Sequence, residues 1–216
     1  RTDFLRGGLL LGFFNALIIV AITLVDEIPF SDSIDNVQIA FASGIVNSIL
    51  VLGILPVYEN VFGITTKFRL LELADLNANI FKEMLVKAPG TYHHSLIVSN
   101  MAEAACKDIN ANYMMARVGA FYHDIGKIPD AGMYIENKVT DLRAKYMTAK
   151  QYSGLIISHV SNGAEMARKE GIPESIIDYI RSHHGKSTMA FFYHQALEEA
   201  DSSGTTIDVR KSDFQY

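Results

Sequence analysis

GGLLLGFFNALIIVAITLV, residues 7–25, carries no charge and only two polar interruptions, Asn15 and Thr23. That is close to the ~20 consecutive apolar residues a helix needs to cross the hydrocarbon core of a bilayer. A second run of spanning length, IAFASGIVNSILVLGILPVY at 39–58, is also uncharged, with Pro56 near its end, where a membrane helix tolerates a kink. Between the runs lie Asp26, Glu27, Asp32 and Asp35 with no base, while Arg1, Arg6, Lys67 and Arg69 flank the outer ends. The positive-inside rule therefore puts both outer ends in the cytoplasm and the acidic loop outside. A buried helix of a large soluble protein, or a signal peptide for the first run, is the plainer reading. The length of the runs and the hairpin they form together speak against both. Gly7, Gly8, Gly12, Gly44 and Gly53 suit close helix packing, and no dimer is read from them.

The rest of the 216-residue chain is a different material and long enough for one domain of about 100 to 150 residues. Residues 67–86 place Leu70, Leu73, Leu76, Ile80 and Leu85 at helical spacing, which predicts a connector helix leading out of the membrane. Pro89-Gly90 breaks the pattern, and 94–108 resumes it with Leu96, Met101, Ala105 and Ile109 available for packing. Residues 116–125 read as a helix stopped by Gly126, 154–169 as another, and 174–182 as a third introduced by Pro173. No segment alternates at period two, so an all-α fold follows. The polar stretch 127–151 reads as a long loop with one short helix near 142–147. Residues 201–216 read as a polar, mobile or extended tail. The organisation is thus two transmembrane helices over 1–62, a connector over 63–90, a helical domain over 91–200, and a tail at which the domain is incomplete.

A formal charge of −5 without a long Lys/Arg run argues against duplex nucleic acid as a partner, because such binding rests on neutralising phosphates. A lone cysteine, Cys106, forms no disulfide within the chain and reads as a small core residue. Metal chemistry here would be imidazole and carboxylate chemistry. Five of the seven histidines, His94, His123, His159, His183 and His184, sit at or near predicted helices. One histidine on a helix is more often a hydrogen-bonded core or surface residue than a ligand. Two adjacent pairs, His123-Asp124 and His183-His184, with two more histidines on separate helices, shift the balance toward a divalent metal site. Asp124 has two oxygens and is the natural bridge between two ions. Ions ~3.5 to 4 Å apart can clamp a phosphate and lower the pKa of a bridging water.

The strings YHHSL (92–96), HDIGK (123–127), IISHVSNG (156–163) and HHG (183–185) resemble the HD superfamily of metal-dependent phosphohydrolases. With the preceding spans, the chain from the first run to about Tyr193 looks like the seven-transmembrane HD receptor family, which includes cyclic di-AMP phosphodiesterases. The resemblance implies that His94, His123 and Asp124 hold one metal ion and that Asp124, His159, His183 and His184 hold a second, iron or manganese. It implies catalytic roles for Asp124 and Lys127. Lys127 would meet a substrate phosphate, and His93 would lie beside the metal or on the substrate side. A surface position for His93 and a solvated Lys127 are the plain alternatives. Gly126 serves the turn. Tyr122, Phe121, Phe191, Phe192 and Tyr193 are aromatic enough to stack on a base, but such a cluster is more often core. The family completes its first metal site with a further Asp in an LAD-like context. No such segment occurs before Tyr216, and Asp201, Asp208 and Asp213 are not assigned to that role.

The resemblance implies a multi-pass protein of the bacterial inner membrane with its HD domain in the cytoplasm. Its implied activity is metal-dependent hydrolysis of a cyclic dinucleotide, cyclic di-AMP first, by a metal-bound hydroxide to a linear product. Two rivals share the site: a receptor that binds nucleotide without turnover, and a hydrolase of another phosphorylated nucleotide. An oligomer is compatible with the sequence and is not read from it.

Overall fold

The computed structural model describes residues 2–137, 142–203 and 209–216, and among them the chain is helical, with a single antiparallel bridge between Thr188 and Gln215. It divides into two compact units, Arg1–Ile64 and Thr65–Tyr216.

The first unit is an antiparallel pair, α1 (Thr2–Val25) and α2 (Phe30–Phe62), each long and apolar enough to cross a membrane. Its large apolar side chains, among them Leu10, Phe14, Ile18, Ile39, Ile49 and Val57, point outward rather than into a protein core. In water that surface would be prohibitive, and in lipid it is the required one. Small residues hold the two helices together. Gly8 and Gly12 are four residues apart, a GxxxG spacing, and both lie against Gly44, where an added Cβ would run into backbone. Asn15 Nδ2 donates to Ser43 Oγ at 3.1 Å and Ser48 Oγ to the Phe4 carbonyl at 3.2 Å, so these polar groups in the spans are satisfied within the pair. Gly63, at φ 62°, closes α2 in the left-handed conformation that glycine adopts without strain.

The second unit packs α3 (Lys67–Leu73), α4 (Asn79–Lys87), α5 (Pro89–Asp108), α6 (Tyr113–Tyr122), α7 (Ala149–Ile157), α8 (His159–Lys169), α9 (Glu174–Ser182) and α10 (Ala190–Ser203). Its main core joins Leu70, Phe81, Met84, Val118, Phe121, Ile125, Ile176, Ile177 and Ile180. Each such side chain contributes about 1.5 to 3 kcal/mol by leaving water. A smaller cluster forms around Ala149, Ala196 and Phe214.

Several expectations change here. The predicted connector is two helices, broken at 74–78, where the Asp75 carboxylate accepts from the Asn77 backbone and side chain. Helix α5 starts at Pro89 rather than 94, because proline is well placed in a first helical turn. It buries Thr91, Ser95 and Ser99 and packs Tyr92 and Leu96 against the core, while Met101 and Ile109 stay exposed, so small side chains make up much of its packing surface. The predicted 154–169 helix is two helices that meet at Ser158, which leaves His159 at the start of α8. The stretch 127–151 holds short 3₁₀ turns at Ile125–Lys127, Ala131–Met133, Ile135–Asn137 and Leu142–Tyr146. The tail is not simply extended. Helix α10 runs to Ser203, Phe214 is fully buried, and Lys150 pairs with Asp213 at 2.6 Å, so one aromatic and one ion pair pin a polar segment. Asp208 lies outside the described residues.

Gly126 does more than permit a turn, since its φ is not positive. An added Cβ there would overlap the His159 carbonyl and the Gly163 amide of α8. The absent side chain is what lets the 123–127 turn lie directly on α8. Gly126→Ala is expected to cost about 1 to 3 kcal/mol in denaturant unfolding, as overpacking does. Gly154→Ala, with open space around it in α7, should be neutral or stabilising by about 0.5 to 1 kcal/mol. Equal effects of the two would contradict this packing.

Candidate metal centre

Three helix ends and the body of α5 deliver the histidines. His94 stands in the first half of α5, His123 follows the last residue of α6, His159 opens α8, and His183 follows the last residue of α9. His184 comes next, before Gly185 turns the chain at φ 60°. Three of the rings are fixed in one way. His123 Nδ1 lies 2.7 Å from the Ala120 carbonyl, His159 Nδ1 2.5 Å from the Ile156 carbonyl, and His183 Nδ1 2.8 Å from the Ile180 carbonyl. A carbonyl only accepts, so each Nδ1 carries a proton, and each Nε2 points inward.

At the centre lies Asp124, whose side chain is 2% exposed. Its two oxygens face different partners. Oδ1 is 3.4 Å from His159 Nε2 and 3.7 Å from His183 Nε2, and Oδ2 is 3.1 Å from His123 Nε2 and 3.9 Å from His94 Nε2. His159 Nε2 and His183 Nε2 are 3.3 Å apart. With both Nδ1 atoms protonated, those two nitrogens and Oδ1 present lone pairs to one another with no hydrogen between them. Oδ1 and the buried His184 Nε2 have no hydrogen-bond partner among the described residues. Buried acceptors without a donor are costly, and a cation among them removes the cost. The donor set fits such an ion. Asp124, His159, His183 and His184 each offer one atom within 4.8 Å of the others, and His94, His123 and Asp124 do the same. Imidazole with carboxylate suits a borderline divalent metal.

The electrostatics agree. Burial lowers the pKa of His159 and His183, and burial with its His183 and His159 neighbours brings His184 down to about 4. All three are therefore neutral near pH 7, the state a metal ligand needs. Burial would raise the Asp124 carboxyl, but the hydrogen bond and charge of His123, with the Lys127 ammonium, hold it far below the usual range.

Lys127 reaches inward rather than into solvent, 2.8 Å from Asp124 Oδ2 and 2.8 Å from Glu136 Oε1. His93 is exposed and packs edge-on against Tyr92, outside both ligand groups. Asp213 faces Lys150 and Arg210 instead of the histidines, and Asp201 is exposed on α10. Phe121 and Tyr122 are core, Phe192 and Tyr193 pack on the smaller cluster, and Phe191 is exposed. Glu136 and Tyr216, stacked on His184 at 3.8 Å, join the site without any signal in the sequence pattern. In metal-free protein, long-range ¹H–¹⁵N spectra of the imidazoles should show His159 and His183 as Nδ1–H tautomers. Nε2–H tautomers at both would contradict the convergence of lone pairs on Asp124.

Residues 91–213 match the family model described as HD domain, and residues 1–66 match the model described as 7TM receptor with intracellular HD hydrolase. The chain is 35% identical over 219 residues to the cyclic-di-AMP phosphodiesterase PgpH of Bacillus subtilis (strain 168), covering all of this chain and 30% of that protein. The PgpH of Listeria monocytogenes gives the same identity and coverage. The chain thus spans under a third of the length of these relatives. A crystal structure of the L. monocytogenes PgpH HD domain in complex with cyclic-di-AMP is similar at TM-score 0.59 and 39% identity, covering 66% of this chain and 64% of that one. The receptor match and the outward-facing apolar helices together mark a membrane protein. The ordered HD motifs, the histidine cluster around Asp124 and the match across most of the second unit lead to one assignment: the chain belongs to the HD-domain family.

Proposed function

We propose that this chain is the metal-dependent catalytic portion of a membrane-bound phosphodiesterase that opens a cyclic dinucleotide, cyclic di-AMP first, to its linear form. The carrying observation is the set of unpartnered lone pairs around one buried carboxylate, in a chain whose relatives are cyclic-di-AMP phosphodiesterases. His94, His123 and Asp124 would hold one divalent ion, and Asp124, His159, His183 and His184 a second, with iron and manganese suited to the donor set. Bound there, the ions supply Lewis acidity to the phosphate and lower the pKa of a water.

The chain's own residues do the rest. Carbonyls at 156 and 180 hold His159 and His183 in the tautomer that keeps Nε2 free, and the carbonyl at 120 orients the His123 ring toward Asp124. Asp124 is kept ionised by its cationic neighbours, so both oxygens remain available. Lys127 neutralises Asp124 from the protein side, which supports a role in holding that carboxylate rather than in gripping a distant phosphate. His93, exposed one residue before His94, is free to meet substrate. Hydrolysis consumes one water and breaks one phosphoester P–O bond, leaving a terminal phosphate and a hydroxyl. The exposed apolar helix pair supports a multi-pass position in the inner membrane, and the basic residues beyond both spans support a cytoplasmic HD domain.

Nucleotide binding without turnover is favoured by one observation, the three-member ligand group at His94, His123 and Asp124, whose His94 side chain is 50% exposed. Product analysis separates the readings. Protein stripped by a chelator should not convert cyclic di-AMP, and Mn(II) or Fe(II) should restore a linear dinucleotide. A metal-loaded protein that binds the nucleotide and leaves it intact would establish the receptor reading. Asp124→Ala should lose metal and turnover together, and normal metal content in it would contradict the bridge. His93→Ala should keep its metal and change rate or affinity, whereas metal loss would make His93 a ligand.

A further inference from the structure

Asp124 Oδ2 already has a cation. Lys127 Nζ lies 2.8 Å from it, on the oxygen that His123 and His94 also face, so the ammonium and an ion in the His94, His123, Asp124 group compete for the same lone pairs. Lys127 cannot escape to water, since its side chain is 14% exposed and packs over the Tyr134 ring at 5.2 Å. Its other partner is Glu136 Oε1 at 2.8 Å. Glu136 is held in place. Thr91 Oγ1 donates to it at 3.3 Å, the Thr91 amide donates to Asn137 Oδ1 at 3.0 Å, and Asn137 Nδ2 donates to Thr91 Oγ1 at 3.1 Å and to the Ala131 carbonyl at 3.0 Å. Gly90 packs so closely on the Glu136 backbone that a Cβ would overlap the Glu136 carbonyl. The carboxylate is thus fixed to the first turn of α5, the helix that carries His94.

We propose that Lys127 is a built-in counter-cation for Asp124, and that Glu136 is the seat that keeps the ammonium when a divalent ion takes Oδ2, so that Glu136 sets the metal affinity of the His94 group. This rests on the metal reading above and adds a positioning residue to it. Lys127 stays protonated throughout, and only its share between two carboxylates changes. Without Glu136 the ammonium keeps Asp124 as its one carboxylate partner among the described residues, and an incoming ion must displace it from there.

The test is a double-mutant cycle read as metal affinity, by Mn(II) titration of the metal-free, detergent-solubilised protein against a chromophoric chelator. Glu136→Gln is expected to weaken the weaker Mn(II) site about tenfold or more, the scale of outer-shell changes. In a Lys127→Met background, Glu136→Gln should change it by under about twofold, because no ammonium remains to be seated. Equal losses in both backgrounds, or none with Lys127 present, overturn the proposal. Wild-type protein that takes up no Mn(II) overturns instead the metal reading on which it rests. If Glu136→Gln does not fold, Glu136→Asp, which shortens the seat, should weaken Mn(II) binding only when Lys127 is present, and a loss independent of Lys127 is again fatal.

Discussion

Everything in the second unit is arranged around one electrostatic constraint: a buried carboxylate, Asp124, one of whose oxygens faces the lone pairs of His159 and His183. Left alone, Asp124 Oδ1, His159 Nε2 and His183 Nε2 would repel one another across less than 4 Å in a poorly solvated interior. Positive charge is what makes the arrangement stable. Lys127 supplies some of it at Oδ2, and none of the described residues donates a hydrogen bond to Oδ1. The asymmetry between the two oxygens is the physical basis for reading a metal centre here.

The fold serves that constraint through helix ends. The carbonyls that fix the His123 and His183 rings lie in the last turns of α6 and α9, and the one that fixes His159 lies in the last turn of α7, next to the opening of α8. A ligand at a helix end is anchored on a rigid element and still aims into the space between elements. Gly126 brings the Asp124 turn down onto α8, and the isoleucines of α9 weld that helix to the core from behind. Packing and polar chemistry therefore act on opposite faces of the same helices.

Much of this was legible in the sequence, for reasons that differ by element. The spans at 7–25 and 39–58 are written in composition, which needs no tertiary information. The histidines and Asp124 are legible because the HD, HV and HHG strings are chemically unusual and occur in order. Glu136 was not, because its role depends on Thr91, which the fold brings beside it and its neighbour Asn137 from 45 and 46 residues away, in a stretch without periodicity. Phe214 is one aromatic in a polar tail, and its burial is a tertiary fact that composition hides. Gly126 looks like a turn glycine, and only the position of α8 shows that it answers a close approach. The break at Ser158 is invisible to periodicity because both halves, 149–157 and 159–169, are helical.

The most direct test of the bridging role of Asp124 is electron paramagnetic resonance of the Mn(II)-loaded, detergent-solubilised protein. Two ions sharing Asp124 at ~3.5 to 4 Å should give an exchange-coupled multiline spectrum. A six-line signal of isolated Mn(II), unchanged up to saturation, would show that the carboxylate serves one ion and would contradict the account.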